Sequence, residues 1–201
     1  GEAAAADARF VEQLAARLGL AFELGRWQPE RTSHFEADAR RARYAWLAEV
    51  ARSRGVSAVA VGHTSDDQAE TILHRIVRGT GLRGLAGMPM RRPLGEGVNL
   101  VRPLLDISRT EIRSYLAGLG QDWREDASNA DIGRTRSRLR HDLLPKLAGD
   151  YNPRITEALV RLGRHARAAV EASRGRLEMA WDGVVVEAGP DGVLLRREAL
   201  V

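Results

Sequence analysis

Length, composition and charge exclude several classes of protein. The 201 residues suffice for one well-buried domain with an appended segment, and are barely enough for two full domains. The 44% hydrophobic and 29% charged residues are typical of a soluble globular protein, and no apolar run approaches the roughly 20 residues of a membrane span. Because cysteine is absent, disulfides, thiolate metal sites, iron–sulfur clusters and cysteine nucleophiles are excluded within these residues. The N-terminus lacks a secretory signal, so we expect a cytoplasmic protein with no membrane association.

The N-terminal third alternates helices with apolar runs. Helical spacing predicts a helix over Ala4–Leu18 and a longer one from about Phe35 to Arg54, each followed by a glycine. Between them, Leu20–Leu24 has the pattern of a short strand. The run Val56–Val61 (VSAVAV) is typical of a strand buried on both faces of a parallel sheet.

Two helix starts carry the sequence of a capping box. Ser65 is followed three positions later by Gln68, and Ser108 by Glu111. The first of these helices should end before a glycine at position 79, and the second near residue 119. Between the two helices, Asn99–Leu105 is predicted to be another strand. The apolar face of the first helix consists of Ala69, Ile72, Leu73, Ile76 and Val77.

The C-terminal region is rich in arginine and helical in pattern. A helix over Arg134–Leu144 should stop or kink at Pro145. Asn152 and Pro153 have the types of an N-cap and first residue of a long helix that reaches about residue 179. Two β-prone runs within Val184–Leu195 then predict a hairpin.

The basic residues of this region have two interpretations. The net charge is only +4, but all 31 basic residues except Lys146 are arginine, and residues 134–176 are strongly basic. Arginine binds phosphates in a bidentate manner, which favours a polyanionic partner. A solvated helix face in a protein biased toward arginine explains the pattern equally well.

Alternating helices and strands at this spacing predict an α/β domain with a mainly parallel sheet. The chain opens on a helix, so we expect the first strand and its loop to be missing. We predict three regions: a partial α/β domain over 1–127, a basic helical region over 128–180, and the start of a further C-terminal domain over 181–201.

Carboxylates are concentrated at one helix start. Asp66 and Asp67 lie in its first turn, with Glu70 one turn later, at the expected carboxyl edge of the sheet. Such oxygen ligands can hold Mg²⁺ against a triphosphate, and they could also orient an attacking amine. The alternative is that acidic residues simply favour helix N-termini.

A stripe of polar residues along the helix and a glycine-rich segment after it follow the carboxylates in the sequence. Asp67, Thr71, His74 and Arg78 form one polar stripe along the helix. The following GTGLRGLAG segment has glycines that would let backbone N–H groups approach an anion, although simple turns explain them as well. Those glycines are Gly79, Gly81, Gly84 and Gly87.

Several short motifs occur together in a fixed order. The strings HTSDDQAET at residues 63–71 and RGTGLRGLAGM at 78–88 are followed by RPLL at 102–105 and WREDASN at 123–129. Three arginines, at 136, 138 and 140, then lead to LLP. Together the motifs resemble the PP-loop ATPase family in the version found in tRNA(Ile)-lysidine synthases, over about Ala5 to Asn152.

The resemblance implies a fold and a reaction. The fold would be a parallel-sheet PP-loop domain, which is adenine nucleotide alpha-hydrolase-like and Rossmann-like, here without its first strand. The reaction would be a carbon–nitrogen ligation, in which ATP, with Mg²⁺, adenylates the C2 oxygen of the wobble cytidine (position 34) of tRNA(Ile). The amine of free lysine then displaces AMP. The oligomeric state is left open, with a homodimer as one option.

The resemblance also assigns roles to individual residues. Asp67 and Glu70 would lie beside Mg²⁺-ATP or the lysine amine, with His63 as a third catalytic residue. Asp66 and Asp67 would be the Mg²⁺ ligands. ATP would be bound by His63, Arg78, Gly79 and Gly81. Lysine or tRNA would be bound by Arg102, Asp126, Asn129, Arg136 and Arg140.

One departure from the family pattern is evident. The Ser-Gly-Gly-x-Asp-Ser sequence that forms the family's phosphate-binding loop does not occur in these residues. We therefore expect a truncated chain that is inactive alone. A PP-loop tRNA thiolase and a non-catalytic RNA-binding module are the alternatives, and the lack of cysteine weighs against the thiolase.

Overall fold

The computed structural model describes residues 2–28, 35–124, 135–189 and 192–196. In chain order the elements are α1 (Glu2–Arg17), α2 (Phe35–Ser53), β1 (Ala58–Ala60), α3 (Ser65–Val77), α4 (Leu82–Leu85), β2 (Arg91–Gly95), β3 (Val98–Val101), α5 (Arg109–Gly118), α6 (Thr135–Arg138), a π-helical turn (Leu139–Leu143), α7 (Leu144–Asp150), α8 (Ile155–Val184), β4 (Val185–Gly189) and β5 (Gly192–Leu195). They form two compact units, residues 1–64 with 89–137 and residues 65–88 with 138–201. The three predicted regions stay a prediction.

The helices of the first unit lie where periodicity and caps predict them. α1 and α2 end within a residue of their predicted ends, each before a glycine with positive φ, Gly19 at 66° and Gly55 at 63°. α5 begins with the predicted capping box: the Ser108 hydroxyl accepts from the Glu111 amide, and the Glu111 carboxylate accepts from the Ser108 amide. The strand predicted over Leu20–Leu24 is wrong, because that segment is irregular and its leucines are exposed.

The sheet of the first unit has the order β1-β3-β2 and is mixed. β1 pairs with β3 in parallel, Val59 opposite Leu100, and β2 pairs with β3 in antiparallel fashion. β2 was not predicted, because it contains Pro93 and two arginines, a composition tolerated at the edge of a sheet. β3 is the buried central strand. The predicted burial of the Val56–Val61 run on both faces is wrong, because β1 lies at the edge of this sheet and Val56 is 48% exposed.

The second unit packs α3 and α4 against α8. Its core consists of Ala69, Ile72, Leu73, Leu139, Leu159 and Val160. Gly163 on α8 allows close approach to α3, since a Cβ there would lie 2.5 Å from Ile72 Cδ1. The apolar face of α3 is shorter than predicted, because Ile76 and Val77 are exposed. The capping box predicted at Ser65 is wrong, since Ser65 is already the first helical residue and the Gln68 amide bonds to the Met88 backbone.

The arginine-rich segment does not stop at Pro145. α6, the π-helical turn and α7 follow one another without a break, and Pro145 lies in the first turn of α7. A proline lacks the N–H donor, and the wider π-helical turn before it accommodates this loss. α8 begins at Ile155, two residues later than predicted, after Asn152 Oδ1 accepts a hydrogen bond from the Arg154 amide at 3.0 Å.

The predicted C-terminal hairpin is confirmed. β4 and β5 pair in antiparallel fashion, and residues 190–191 between them lie outside the described residues. Among the helices that the structure describes, none combines the length and the apolar character needed to cross a membrane.

Candidate active site

The acidic cluster at the start of α3 lies in the second unit. Asp66 and Asp67 are half-buried, and the Glu70 side chain is 1% exposed. The helix turns Glu70 inward because Ala69, Ile72 and Leu73 anchor the same part of α3 in the core. A carboxylate removed from water is costly unless a cation or several donors compensate it. The burial of Glu70 therefore requires a partner from elsewhere in the chain.

Arg140 of the π-helical turn is that partner. Its Nε donates to Glu70 Oε1 at 2.6 Å and its Nη2 to Glu70 Oε2 at 3.0 Å, which makes a bidentate pair. The same Nη2 lies 3.2 Å from Asp67 Oδ1. The pair joins residues 70 positions apart in the sequence. The structure thus brings together Asp67, Glu70 and Arg140, all three predicted to be site residues but in different roles.

The charges of this cluster support each other. Hydrogen bonds to Glu70 raise the pKa of Arg140 above its ordinary value, and the charges of Glu70, Asp67 and Asp66 act in the same direction. Burial lowers the pKa of Arg140, but this effect is smaller than the combined effect of the hydrogen bonds and charges. Three carboxylates therefore act in the same direction on the guanidinium of Arg140.

The π-helical turn positions Arg140. Leu139, only 4% exposed, anchors the turn in the core of the second unit, and Leu143 packs against the same core. The residue after Leu139 is thereby directed at α3. π-Helical turns are rare and occur frequently at functional sites. The sequence pattern of three arginines did not distinguish Arg140 from its neighbours, because the choice depends on this local geometry.

The glycine-rich segment is a set of tight turns around the short helix α4. Gly79 donates to the Ile76 carbonyl, Gly84 to that of Gly81, and Gly87 to that of Gly84. These three amides thus donate hydrogen bonds within the chain, and the expectation that the segment cradles an anion stays a prediction. Gly79 and Gly87 are present because their φ values are positive, at 76° and 67°. The assignment of Gly79 and Gly81 to ATP stays a prediction.

Three side chains hold this segment, and the sequence singled out only Gln68 among them, for a different role. Arg75 Nη1 donates to the carbonyls of residues 84 and 87 at 2.8 and 3.0 Å. Arg167 Nη2 donates to those of residues 86 and 88 at 2.9 and 2.5 Å. Gln68 bonds to both backbone groups of Met88. These hydrogen bonds therefore fix the glycine-rich segment to the rest of the second unit. No local sequence signal could reveal hydrogen-bond partners so distant in the chain.

The remaining predicted residues have different environments. Arg102, in the first unit, is 2% exposed and its Nη1 donates to the Pro89 carbonyl at 2.7 Å. His63 is half-buried, and Arg78 is exposed just after the end of α3. Outside the described residues lie Asp126 and Asn129. Of Arg136 the structure describes only its place in α6.

Among the described residues, no group of three or more carboxylates or histidines is arranged to hold a metal ion. Asp67 is also bonded to a guanidinium, whose positive charge opposes a divalent cation nearby. Asp66 and Asp67 as Mg²⁺ ligands thus stay a prediction, and Mg²⁺ enters below only as part of the nucleotide substrate.

Comparisons with known proteins agree with these features. Residues 1–147 match the family model described as the PP-loop domain. A tRNA(Ile)-lysidine synthase from Solibacter usitatus (strain Ellin6076) is 42% identical over 201 residues, which are 100% of this chain and 44% of that protein. The enzyme of the same name from Gloeobacter violaceus is 38% identical over 183 residues, 90% of this chain and 55% of that protein. The chain thus spans about half the length of these relatives.

A solved structure gives the same fold. The U34-tRNA thiolase NcsA from Methanococcus maripaludis, described with its [4Fe-4S] cluster, has a TM-score of 0.60 over 80% of this chain and 56% of that one. At 17% identity this likeness concerns the fold alone. The resemblance inferred from the motifs is confirmed, and the chain belongs to the PP-loop domain family.

Proposed function

We propose that the protein ligates lysine to C2 of the wobble cytidine of tRNA(Ile). In the first step the C2 oxygen attacks the α-phosphorus of ATP and pyrophosphate leaves. In the second step the lysine amine attacks C2, and the C2–O bond breaks to release AMP. The similarity to tRNA(Ile)-lysidine synthases supports this reaction. The observation that carries it is the cluster of Asp67, Glu70 and Arg140, in which the partly exposed carboxylate of Asp67 is the candidate contact for a substrate ammonium.

Within the cluster, Asp67 is the better candidate for the lysine ammonium. Its side chain is 15% exposed and shares one bond with Arg140, whereas Glu70 is 1% exposed and holds Arg140 in two. We therefore assign Glu70 and Arg140 to positioning, and Asp67 to contact with the substrate. A carboxylate beside an ammonium raises the pKa of that amine, so a base has to remove the proton before the amine attacks.

The other predicted roles are kept as part of the proposal. His63, Arg78, Gly79 and Gly81 are assigned to the nucleotide. The tRNA or lysine is assigned to Arg102, Asp126, Asn129 and Arg136. Mg²⁺ accompanies ATP. We further propose that residues 1–201 need a Ser-Gly-Gly-x-Asp-Ser sequence, which they do not contain, for turnover.

A chimera tests the reaction. Residues 1–201 replace the matched segment of the Solibacter usitatus relative, which corresponds to 44% of that protein. We expect release of AMP and pyrophosphate only when ATP, lysine and tRNA(Ile) are all present. Turnover that requires a sulfur donor would favour a thiolase, a function for which these 201 residues offer no cysteine. Binding of tRNA without any ATP-dependent turnover would favour an RNA-binding module.

A single substitution tests the role of Asp67. In the chimera, Asp67→Asn should raise the KM for lysine about tenfold to a hundredfold, the effect of losing one charge-assisted hydrogen bond. Affinity for tRNA should not change. Asp142→Asn is the matched control, because Asp142 is an exposed carboxylate on the same π-helical turn as Arg140. A change in the KM for ATP with an unaltered KM for lysine would place Asp67 on the nucleotide side.

A further inference from the structure

Two arginines from different helices bind the backbone of the glycine-rich segment and of Met88, which follows it. Arg75 of α3 uses one nitrogen, Nη1, to donate to the carbonyls of residues 84 and 87. Arg167 of α8 likewise uses one nitrogen, Nη2, to donate to the carbonyls of residues 86 and 88. Two cations therefore bind four carbonyls within residues 84–88.

The glycine-rich segment has little rigidity of its own. It contains four glycines, at positions 79, 81, 84 and 87, and glycine loses more conformational freedom on folding than any other residue. Its helix α4 has only four residues, and a helix that short gains its stability from tertiary contacts. The conformation of the segment therefore depends on bonds that come from outside it.

The two arginines are suited to supply those bonds. Arg75 and Arg167 are half-buried, whereas Arg164, three positions earlier on α8, is exposed. Hydrogen bonds from a charged donor are roughly twice as strong as those between neutral groups, and partial burial shields them from competing water. Arg75 and Arg167 therefore contribute more to the order of the segment than exposed arginines of the same helices.

Helix α8 approaches the segment closely where Arg167 lies. Gly163 is one turn before Arg167 and on the same face of the helix. A Cβ at Gly163 would lie 3.3 Å from the Leu85 carbonyl oxygen, so the lack of a side chain permits this approach. Ala166, beside Arg167, is only 4% exposed. The small residues of α8 thus bring the Arg167 guanidinium within reach of the carbonyls.

Helix α8 lies outside the residues that match the PP-loop family model. The match covers residues 1–147, and α8 begins at Ile155. The segment that Arg167 binds lies inside the match and includes Gly79 and Gly81, which the proposed function assigns to the nucleotide. A helix beyond the matched domain is therefore bonded directly to a part of the proposed nucleotide site.

We infer that Arg75 and Arg167 are positioning residues for ATP, which hold the glycine-rich segment in the conformation that the nucleotide requires. A segment that is ordered before binding does not have to lose conformational entropy when the ligand arrives. The arginines should therefore affect the affinity for ATP and not that for lysine. The inference rests on the assignment of Gly79 and Gly81 in the proposed function, but it does not depend on the second substrate.

Hydrogen exchange of the 201-residue chain, followed by NMR, tests the effect on the segment. The amides of residues 84–87 donate hydrogen bonds within the segment, so their exchange reports on its order. We expect Arg167→Met to speed this exchange about tenfold and to leave the amides of α3 unchanged. Arg167→Lys should restore part of the protection, because one cationic nitrogen serves both carbonyls. Arg164→Met is the matched control and should exchange like the parent.

The affinity for ATP tests the effect on the site. In the chimera, Arg167→Met and, independently, Arg75→Met should each raise the Kd for ATP about tenfold, with the KM for lysine unchanged. Arg167→Lys should recover part of this affinity, and Arg164→Met should bind ATP like the parent. A chimera that binds ATP in this way but shows no lysine-dependent turnover would refute the proposed reaction and leave the inference intact.

Four results would overturn the inference. Unchanged exchange in Arg167→Met would show that the arginine does not order the segment. Faster exchange throughout α3 would assign Arg167 to the stability of the whole unit. Faster exchange of the segment with an unaltered Kd for ATP would separate the segment from the nucleotide. A parent chimera that does not bind ATP would overturn the nucleotide assignment together with the inference.

Discussion

Removal of Arg140 should destabilise the second unit strongly. Glu70 is 1% exposed and accepts two hydrogen bonds from Arg140, so Arg140→Met removes a bidentate cationic partner from a buried carboxylate. Loss of one partner of a buried ion pair costs about 3–5 kcal/mol. For a chain of this length, about 1 kcal/mol corresponds to a shift in Tm of about 2–4 °C. We therefore expect a fall in Tm on the order of 10 °C.

Urea denaturation followed by circular dichroism measures the loss in free energy of unfolding that Arg140→Met causes. Arg138→Met is the matched control, because Arg138 is exposed two residues earlier in the same helical segment and should change the free energy of unfolding by less than about 0.5 kcal/mol. Adding Glu70→Gln to Arg140→Met removes the buried charge and should recover a large part of the loss. The reasoning is refuted if Arg140→Met is no more destabilising than Arg138→Met, or if the second substitution adds to the loss.

Three further substitutions test the local geometry. Gly87→Ala and Gly97→Ala are a matched pair, because both glycines have a positive φ, 67° and 68°. A Cβ at Gly87 would lie 2.6 Å from Gln68 Oε1, whereas a Cβ at Gly97 would meet open space, so Gly87→Ala should lower the free energy of unfolding in urea more than Gly97→Ala. Equal effects would exclude a steric role for Gln68. Ser108→Ala should cost about 1 kcal/mol through loss of the N-cap. Hydrogen bonds from Ser108 lower the pKa of Glu111 below 4.5, so this carboxylate stabilises the fold above that pH and the contribution is lost as the pH falls. Ser108→Ala should flatten that acid dependence, and an unchanged profile would contradict the assignment.

The sequence by itself determined the elements whose signals are local. The helix ends at Gly19 and Gly55, the capping box of α5 and the C-terminal hairpin depend on neighbouring residues, and the structure confirms them. The order of the motifs likewise identified the family, since short strings in fixed sequence are specific even where each one is common.

Tertiary structure decided which of these residues meet. The bidentate pair of Arg140 with Glu70 joins positions 70 apart, and the bonds from Arg167 to the glycine-rich segment span 79 and 81 positions. Such pairs have no periodicity or spacing that a sequence displays. They form because burial in one core desolvates a carboxylate or a carbonyl, and an unpaired buried polar group costs more than ordering a distant arginine to satisfy it.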